Sequence, residues 1–311
     1  MVCQNLGGGG AARATLRLAN ALRGLTEGLG VDVAFRTSSP VPPGLPFRHH
    51  QLPGGVARIR RTLSGIRSGL RDRRAAPAAH ESFGQSRADI WTGLARELAR
   101  SDSDIVNLHW LGNDTISIEE IGRITKPVVL TLHDMWSFCG AEHVALHDRF
   151  RDGYSQRSDD SSGQSVDWNR STWQRKQRSW KRPMHVVAPS RHLADQAQSS
   201  LLMSGWQIAV IPNAVDNAVW KPVDRRAARH ALGLPQDKHL LLFSAMGASA
   251  HWLKGWDLLS DALHRISATR RPSGPESELV VVGRRQKSKP SEPFNTKSDY
   301  GRKLSKAWAW K

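Results

Sequence analysis

The sequence predicts an α/β protein with two doubly wound, parallel-sheet domains in tandem. Three observations predict it. Short apolar runs such as Val128–Leu132, His185–Ala188, Leu240–Ser244 and Leu279–Val282 do not alternate with polar residues, as expected of strands buried on both faces. Segments of helical period lie between them. The alternation then restarts after a polar connector at Asn217–Asp224, which places the boundary between domains of 1–218 and 219–311.

The elements follow in chain order. Val2–Leu6 is a short first strand ahead of Gly7–Gly10. Ala11–Leu29 is a helix, with Leu18, Leu22, Leu25 and Leu29 on one stripe and Gly30 as its stop. Val31–Phe35 reads as a strand, and the Pro- and Gly-rich Thr37–Gly55 as loop. Val56–Arg74 is a basic helix, Ala75–Ser86 a loop and Ile90–Ala99 a helix. Ile105–His109 is a strand, Ser117–Ile124 a short helix and Val128–Leu132 a strand. Ser155–Asp167 is polar loop, and Ser171–Lys181 is a basic helix. His185–Ala188 leads through Ser190, a helix N-cap, into a helix at Arg191–Leu202. Gln207–Ile211 is a strand. The second domain reads as a helix at Arg225–Leu232, strand Leu240–Ser244, helix Trp256–Ala268 and strand Leu279–Val282. A basic, poorly periodic tail, 284–311, follows.

Composition sets limits on function. The 311 residues are 39% hydrophobic, enough for packed cores. No apolar run approaches the roughly 18 residues of a membrane-spanning helix. Met1–Gly10 does not read as a secretory leader, and Cys3 and Cys139 cannot build a disulfide framework, so a cytoplasmic location is expected. The net charge is +17, concentrated in Arg48–Arg74, Trp168–His192 and Arg284–Lys311, each of which carries +7. Such segments suit a phosphate-bearing substrate or an anionic membrane surface. Nucleic acid also fits the charge, but no nucleic-acid module is recognisable.

Candidate chemistry gathers where strands end. In a parallel sheet, ligands bind at the carboxyl ends of strands. His109 and His133 both stand there, and each could donate to a sugar or phosphate oxygen or move a proton. Asp134 could orient a ring or cap the next turn, and Asn213 follows the strand ending at Ile211. Gly8, Gly9 and Gly10 precede a helix, so backbone N–H groups there could meet phosphate oxygens. Lys254 and Gly255 stand ahead of the second domain's helix, where a cation can face a diphosphate. His143 and His147 have i, i+4 spacing, but Val144 stands where an H-E-x-x-H zinc site needs glutamate, so no metal is expected. Tryptophans beside basic residues, among them Trp173 and Trp180, suit either core packing or interfacial stacking.

Seven stretches taken together resemble the family 4 glycosyltransferases, in particular bacterial exopolysaccharide enzymes of the colanic-acid type. They are Gly8–Ala14, Val106–Leu111, Leu130–Trp136, Phe138–His143, Ala188–Arg191, Val210–Asp216 and Lys254–Asp257. The resemblance implies the GT-B fold, two Rossmann-like domains facing a cleft, with no obligatory metal or cofactor. It implies retaining transfer of a sugar from a nucleotide-diphosphate donor to a saccharide or lipid-linked acceptor hydroxyl. By this resemblance the Gly8–Gly10 loop lies near donor phosphates and acceptor. His133 contacts the donor-sugar side, and Lys254 binds the diphosphate. Two departures stand out. The family's arginine six residues before the lysine is Ala248 here, and its late Glu-x7-Glu segment does not occur before Lys311. A truncated second domain is therefore expected. The alternative reading is an inactive homologue that binds only acceptor or membrane.

Overall fold

The computed structural model describes residues 1–25, 34–37, 44, 47–51, 85–112, 114–156, 167–245, 252–269, 276–282 and 296–297. The chain divides into two units, Met1–Asp216 and Asn217–Lys311.

The first unit is built on parallel pairing. Strands β1 (Ala34–Thr37) and β2 (Arg48–Gln51) pair in the register Ala34↔Arg48. A second run of β3 (Val106–Leu108), β4 (Val128–Thr131), β5 (His185–Ala188) and β6 (Ile208–Val210) pairs in that order, every neighbour parallel. The expected strand at Val2–Leu6 is reduced to a splice between the two groups. Val2 bridges both Arg36 and Leu108, and its N–H and C=O bond Asn107 and His109 at 2.8 and 2.9 Å. Thr37–Gly55 was expected to be loop, but β2 lies within it. Its sequence, RHHQ, carries no apolar signal, and among the described residues its strand pairing is to β1 alone.

Helices sheathe this sheet. Helix α1 spans Gly10–Leu25, and Leu29 and Gly30 lie outside the described residues. Its buried stripe is Ala12, Thr15, Leu16 and Ala19 rather than the leucines at 18 and 22, which are only half-buried. The small residues let α1 come close to Phe35. Helix α2 (Leu94–Arg100) and the one-turn α3 (Ile118–Ile121) are tied together by the fully buried Glu120. Its carboxylate accepts from the N–H groups of Thr92 and Gly93, both at 2.7 Å, and from the Ser117 hydroxyl at 3.0 Å. Ser117 caps α3 in return, completing a capping box. The basic segment Val56–Arg74 lies outside the described residues.

Helix α4 (Trp168–Ser179) is capped by Asp167, which also pairs with Arg149. It packs so closely that a Cβ on Gly122 would stand 2.2 Å from the Ser179 carbonyl oxygen. A Cβ on Gly140 would stand 2.5 Å from the Cα and carbonyl oxygen of Asn169. Backbone cannot retreat as a flexible side-chain tip can. Gly140→Ala is therefore expected to cost about 2 kcal/mol, the range of core overpacking, and to lower the thermal midpoint measurably. Helix α5 (Arg191–Ser199) begins at Ser190, whose hydroxyl accepts the Leu193 N–H at 3.3 Å.

The core follows from these contacts. Leu108, Leu130, Val186 and Ala188 from the strands, with Leu132 just past β4, pack with Ile118, Phe138, Phe150, Tyr154, Trp173 and Trp180. Trp173 and Trp180 are thus core residues at 3% and 5% exposure, which removes them from any stacking surface.

The second unit carries α6 (Arg225–Leu232), closed by Gly233 at φ 66°, then β7 (His239–Ser244), α7 (Trp256–Thr269) and β8 (Ser277–Val282). Strands β7 and β8 are parallel, in the register His239↔Ser277. From the tail expected to lack period, Thr296–Lys297 forms β9 and adds a parallel third strand against Leu279 and Val280. The rest of that tail lies outside the described residues. Leu263, Leu279 and Val281 form a small core with Phe243, Trp256 and Leu259. Among the described residues no helix is long and apolar enough to cross a membrane.

Candidate functional site

The carboxyl ends of β3 and β4 bring His109 and His133 together. His109 Nδ1 and His133 Nε2 are 3.0 Å apart, with ring centroids separated by 5.3 Å. The proton positions follow from the strands beneath. Asn107 on β3 directs its Nδ2 at two acceptors, the Val129 carbonyl and Thr131 Oγ1, each at 3.0 Å. A carbonyl can only accept, so Asn107 presents its Oδ1 to His109 Nε2, 2.7 Å away. His109 Nε2 must carry the proton. The neutral ring then offers a lone pair at Nδ1, and His133 Nε2–H donates to it. His133 is left with an unprotonated Nδ1 that has no partner among the described residues.

Both rings are neutral near pH 7. Burial pushes the His109 imidazole well below its ordinary value, and the neighbouring His133 pushes it further. Burial also lowers His133, against the opposing pull of Asp134. The unfolded chain therefore takes up these protons first as pH falls. Stability should decline below about 6.5, the ordinary histidine value, and level off only past the lower folded values. Denaturation midpoints measured across this window check the sign. Replacing both histidines with glutamine should flatten that limb.

Asp134 does both things expected of it. Its Oδ1 caps the next turn through the Trp136 N–H at 3.0 Å. Its Oδ2 orients a ring, but that ring is His143, whose Nδ1 lies 2.6 Å away, and the same oxygen takes the Trp110 indole N–H at 2.7 Å. His143 Nε2 meets the Ser86 hydroxyl at 2.8 Å. His143 thus belongs to this site without its i, i+4 partner. His147 is exposed and precedes the 3₁₀ turn Asp148–Arg151. Among the described residues no three His, Cys, Asp or Glu side chains gather as metal ligands.

The loop from Asp134 to His143 is held from below by a buried lysine. Lys176 on α4 is fully buried, and its ammonium donates to the carbonyls of Trp136, Cys139 and Gly140, the last two at 2.9 and 2.7 Å. It also lies 4.0 Å from the centre of the Trp136 ring. Tyr154 accepts the Gly140 N–H at 2.8 Å and donates to Glu142, while Asn169 Oδ1 accepts the Ala141 N–H at 3.1 Å.

This changes the meaning of the basic segment Trp168–His192, which was expected to face an anionic partner. Lys176 is internal. Arg175 forms a two-pronged pair with Glu119 at 2.8 and 2.6 Å and donates to the carbonyls of Arg87 and Ala88. Arg182 donates to the Ile124 carbonyl at 2.9 Å. Much of this charge holds the fold together, and Arg178, Lys181 and Arg191 are the exposed remainder.

The other expected residues fall as follows. Gly8 and Gly10 are exposed, Gly9 is half-buried at φ 88°, and Cβ atoms on Gly8, Gly9 and Gly10 would meet nothing within 4 Å. This open loop directly follows the Val2–Gln4 splice, where the Gln4 N–H bonds the Trp110 carbonyl at 3.0 Å. It therefore leaves the sheet beside the end of β3. Asn213 is exposed beyond the carboxyl end of β6, which lies at the opposite end of the strand run from β3. Lys254 and Gly255 belong to the second unit. Lys254 is exposed at the end of a 3₁₀ turn, and Gly255, at φ 68°, connects it to α7. Gly247–Ala250 lies outside the described residues.

The parallel strands and intervening helices of both units make this an α/β protein of the Rossmann-like kind, as in the GT-B fold, with polar side chains at the carboxyl ends of the first unit's strands. The sequence signature of Glycosyltransferase Family 4 matches residues 8–219, and the chain belongs to that family. A stretch of 77 residues is 39% identical to the D-inositol 3-phosphate glycosyltransferase of Stackebrandtia nassauensis. That stretch is 25% of this chain and 17% of the relative.

Proposed function

We propose that the protein transfers a sugar from a nucleotide-diphosphate donor to an acceptor hydroxyl with retention at the anomeric carbon. The observation that carries this reading is the His109–His133 pair, whose proton arrangement leaves an imidazole lone pair open at the carboxyl ends of β3 and β4, within the stretch that matches the family 4 signature. A neutral imidazole nitrogen is a good acceptor for a sugar hydroxyl and keeps positive charge away from the developing oxocarbenium ion. The open Gly8–Gly10 loop, at the start of the 16-residue α1, suits phosphate oxygens or the acceptor.

In this reading Lys254 supplies the fixed cation for the leaving diphosphate, and Gly255 allows the phosphate close approach. Charge develops on that group as the glycosidic bond breaks, so a pre-placed ammonium stabilises the transition state more than the ground state. His109 and Asp134, whose polar atoms are already engaged within the protein, act on the donor sugar by positioning His133, and the exposed Asn213 is left for an acceptor contact. The reading assigns no resident metal or cofactor. The acceptor is a saccharide or lipid-linked saccharide in exopolysaccharide synthesis. The partly undescribed basic stretch at 48–74 favours a peripheral position on an anionic inner-membrane surface.

The test is release of nucleoside diphosphate from purified protein incubated with a panel of nucleotide sugars and a lipid-linked acceptor. Turnover that requires both donor and acceptor supports the reading. A protein that neither binds nor turns over any nucleotide sugar refutes it and leaves the inactive homologue.

A further inference from the structure

Asp134 and His133 are consecutive, so whatever fixes the Asp134 carboxylate also fixes the electrostatic surroundings of the His133 ring. Three groups fix it, the Trp136 N–H on Oδ1 and the Trp110 and His143 rings on Oδ2. The Trp110 indole N–H can only donate, so the Oδ2 that receives it carries no proton. His143 approaches the same oxygen at 2.6 Å through Nδ1, which must therefore be the protonated nitrogen. Its other nitrogen, Nε2, pairs with the Ser86 hydroxyl at 2.8 Å.

Ser86 is itself immobilised. Its N–H donates to the Ala141 carbonyl at 2.9 Å, and its carbonyl accepts the Trp136 indole N–H at 2.7 Å. The order serine, histidine, aspartate is that of a hydrolytic triad. Ser86, however, is only 5% exposed, and its own backbone groups are consumed in holding the loop. The arrangement suits locking a ring better than attacking a substrate.

We propose that His143 is a positioning residue for the transfer reaction: clamped by Ser86 on one ring nitrogen, it holds the Asp134 carboxylate against Trp110 and so limits its pull on the His133 ring. This rests on the reading of His133 as a donor-sugar contact. Without the His143 N–H, Asp134 keeps the Trp136 N–H on Oδ1 and the Trp110 indole on Oδ2, but loses its shortest partner and gains freedom to turn toward His133. A carboxylate close to that ring favours its protonated form and so converts the open acceptor at Nδ1 into a donor.

The test compares the full chain with His143→Leu, His143→Asn and Ser86→Ala. Asparagine places an N–H near the position of Nδ1, and leucine fills the space without one. His143→Leu should lower kcat about tenfold or more with KM for the donor changed less than about twofold, and His143→Asn should recover most of that loss. A second readout does not depend on turnover. In NMR titrations the His133 imidazole should move up by about half a pH unit or more in His143→Leu and stay near the wild-type value in His143→Asn. Ser86→Ala should let the His143 ring change tautomer, visible in its nitrogen shifts. Variants that titrate His133 as the wild type does, or leucine and asparagine variants that behave alike, overturn the proposal. Covalent labelling of Ser86 by a fluorophosphonate overturns it as well, because Ser86 would then be a nucleophile. If the wild type transfers no sugar, the proposed function fails, while the titration still decides the role of His143.

Discussion

Substituting His133 with alanine should reduce sugar transfer about 100-fold or more, with the loss in kcat rather than in donor KM. The expectation comes from where the ring stands. It is the last member of a hydrogen-bonded series that begins at the Val129 carbonyl and ends at an open nitrogen on the strand edge. Alanine removes that nitrogen and deprives His109 Nδ1 of its donor. His133→Gln keeps a hydrogen-bonding side chain and should retain more activity than alanine. Steady-state rates for both variants at saturating donor decide the point. An alanine variant with wild-type kcat and KM would show that the ring plays no part in transfer.

Lys176→Met should destabilise the first unit by about 3 kcal/mol or more. The side chains are similar in length, so the change removes charge and donors while leaving little cavity. The carbonyls of Trp136, Cys139 and Gly140 would then lose their shared ammonium in a water-free interior, and each buried unpaired acceptor is costly. A shift of the urea midpoint, with an unchanged denaturant slope, measures this. The effect also has a pH signature. Burial pulls the Lys176 ammonium down to about 7, against the opposing influence of Cys139, Glu142 and Asp134. Between that value and the ordinary 10.5 of lysine, the unfolded chain holds the proton that the folded chain has released. Stability contributed through this group is fully present above 10.5 and is lost as pH falls toward 7. The gap between wild type and Lys176→Met should therefore widen as pH rises through that window. Cys139 is coupled to this ammonium, which opposes the rise that burial gives the thiol, so comparing Cys139→Ala with the Cys139→Ala, Lys176→Met double variant isolates the lysine's share.

Some parts of this protein are readable in its sequence because one residue and its neighbours determine them. Buried parallel strands announce themselves as apolar runs, and β4, β5 and β8 fall close to their expected positions. His109 and His133 follow from β3 and β4 because a strand end in a parallel sheet is a place with known chemistry. Strand β2 was not readable: its four residues are all polar, and the backbone pairing that makes it a strand leaves no trace in side-chain hydropathy.

The linkages at the site were hidden for a different reason. His143 lies nine residues beyond Asp134, and nothing in that spacing says that the chain doubles back. The return is shaped by Lys176, more than thirty residues later, and by the lack of a Cβ on Gly140. A cation at position 176 reads as surface in any local window. Only the three carbonyls it meets show that it belongs to the interior. Ser86 is more remote still, reaching the site across 48 residues to Asp134. The residues that do the expected work were legible, whereas those that hold them in place depend on contacts between distant segments.

The Asn107 amide has one consequence beyond the geometry of its bonds. Its orientation is dictated by the main-chain carbonyl of an adjacent strand, and through it the location of a proton two imidazoles away is decided. The sheet thus acts as a template for polarity as well as for shape, and the direction in which its peptide groups point is copied outward into the acid–base character of a surface nitrogen. An aspartate in place of Asn107 would be isosteric yet could not offer a donor to that carbonyl, and the copied information would be lost although no group near a substrate had changed.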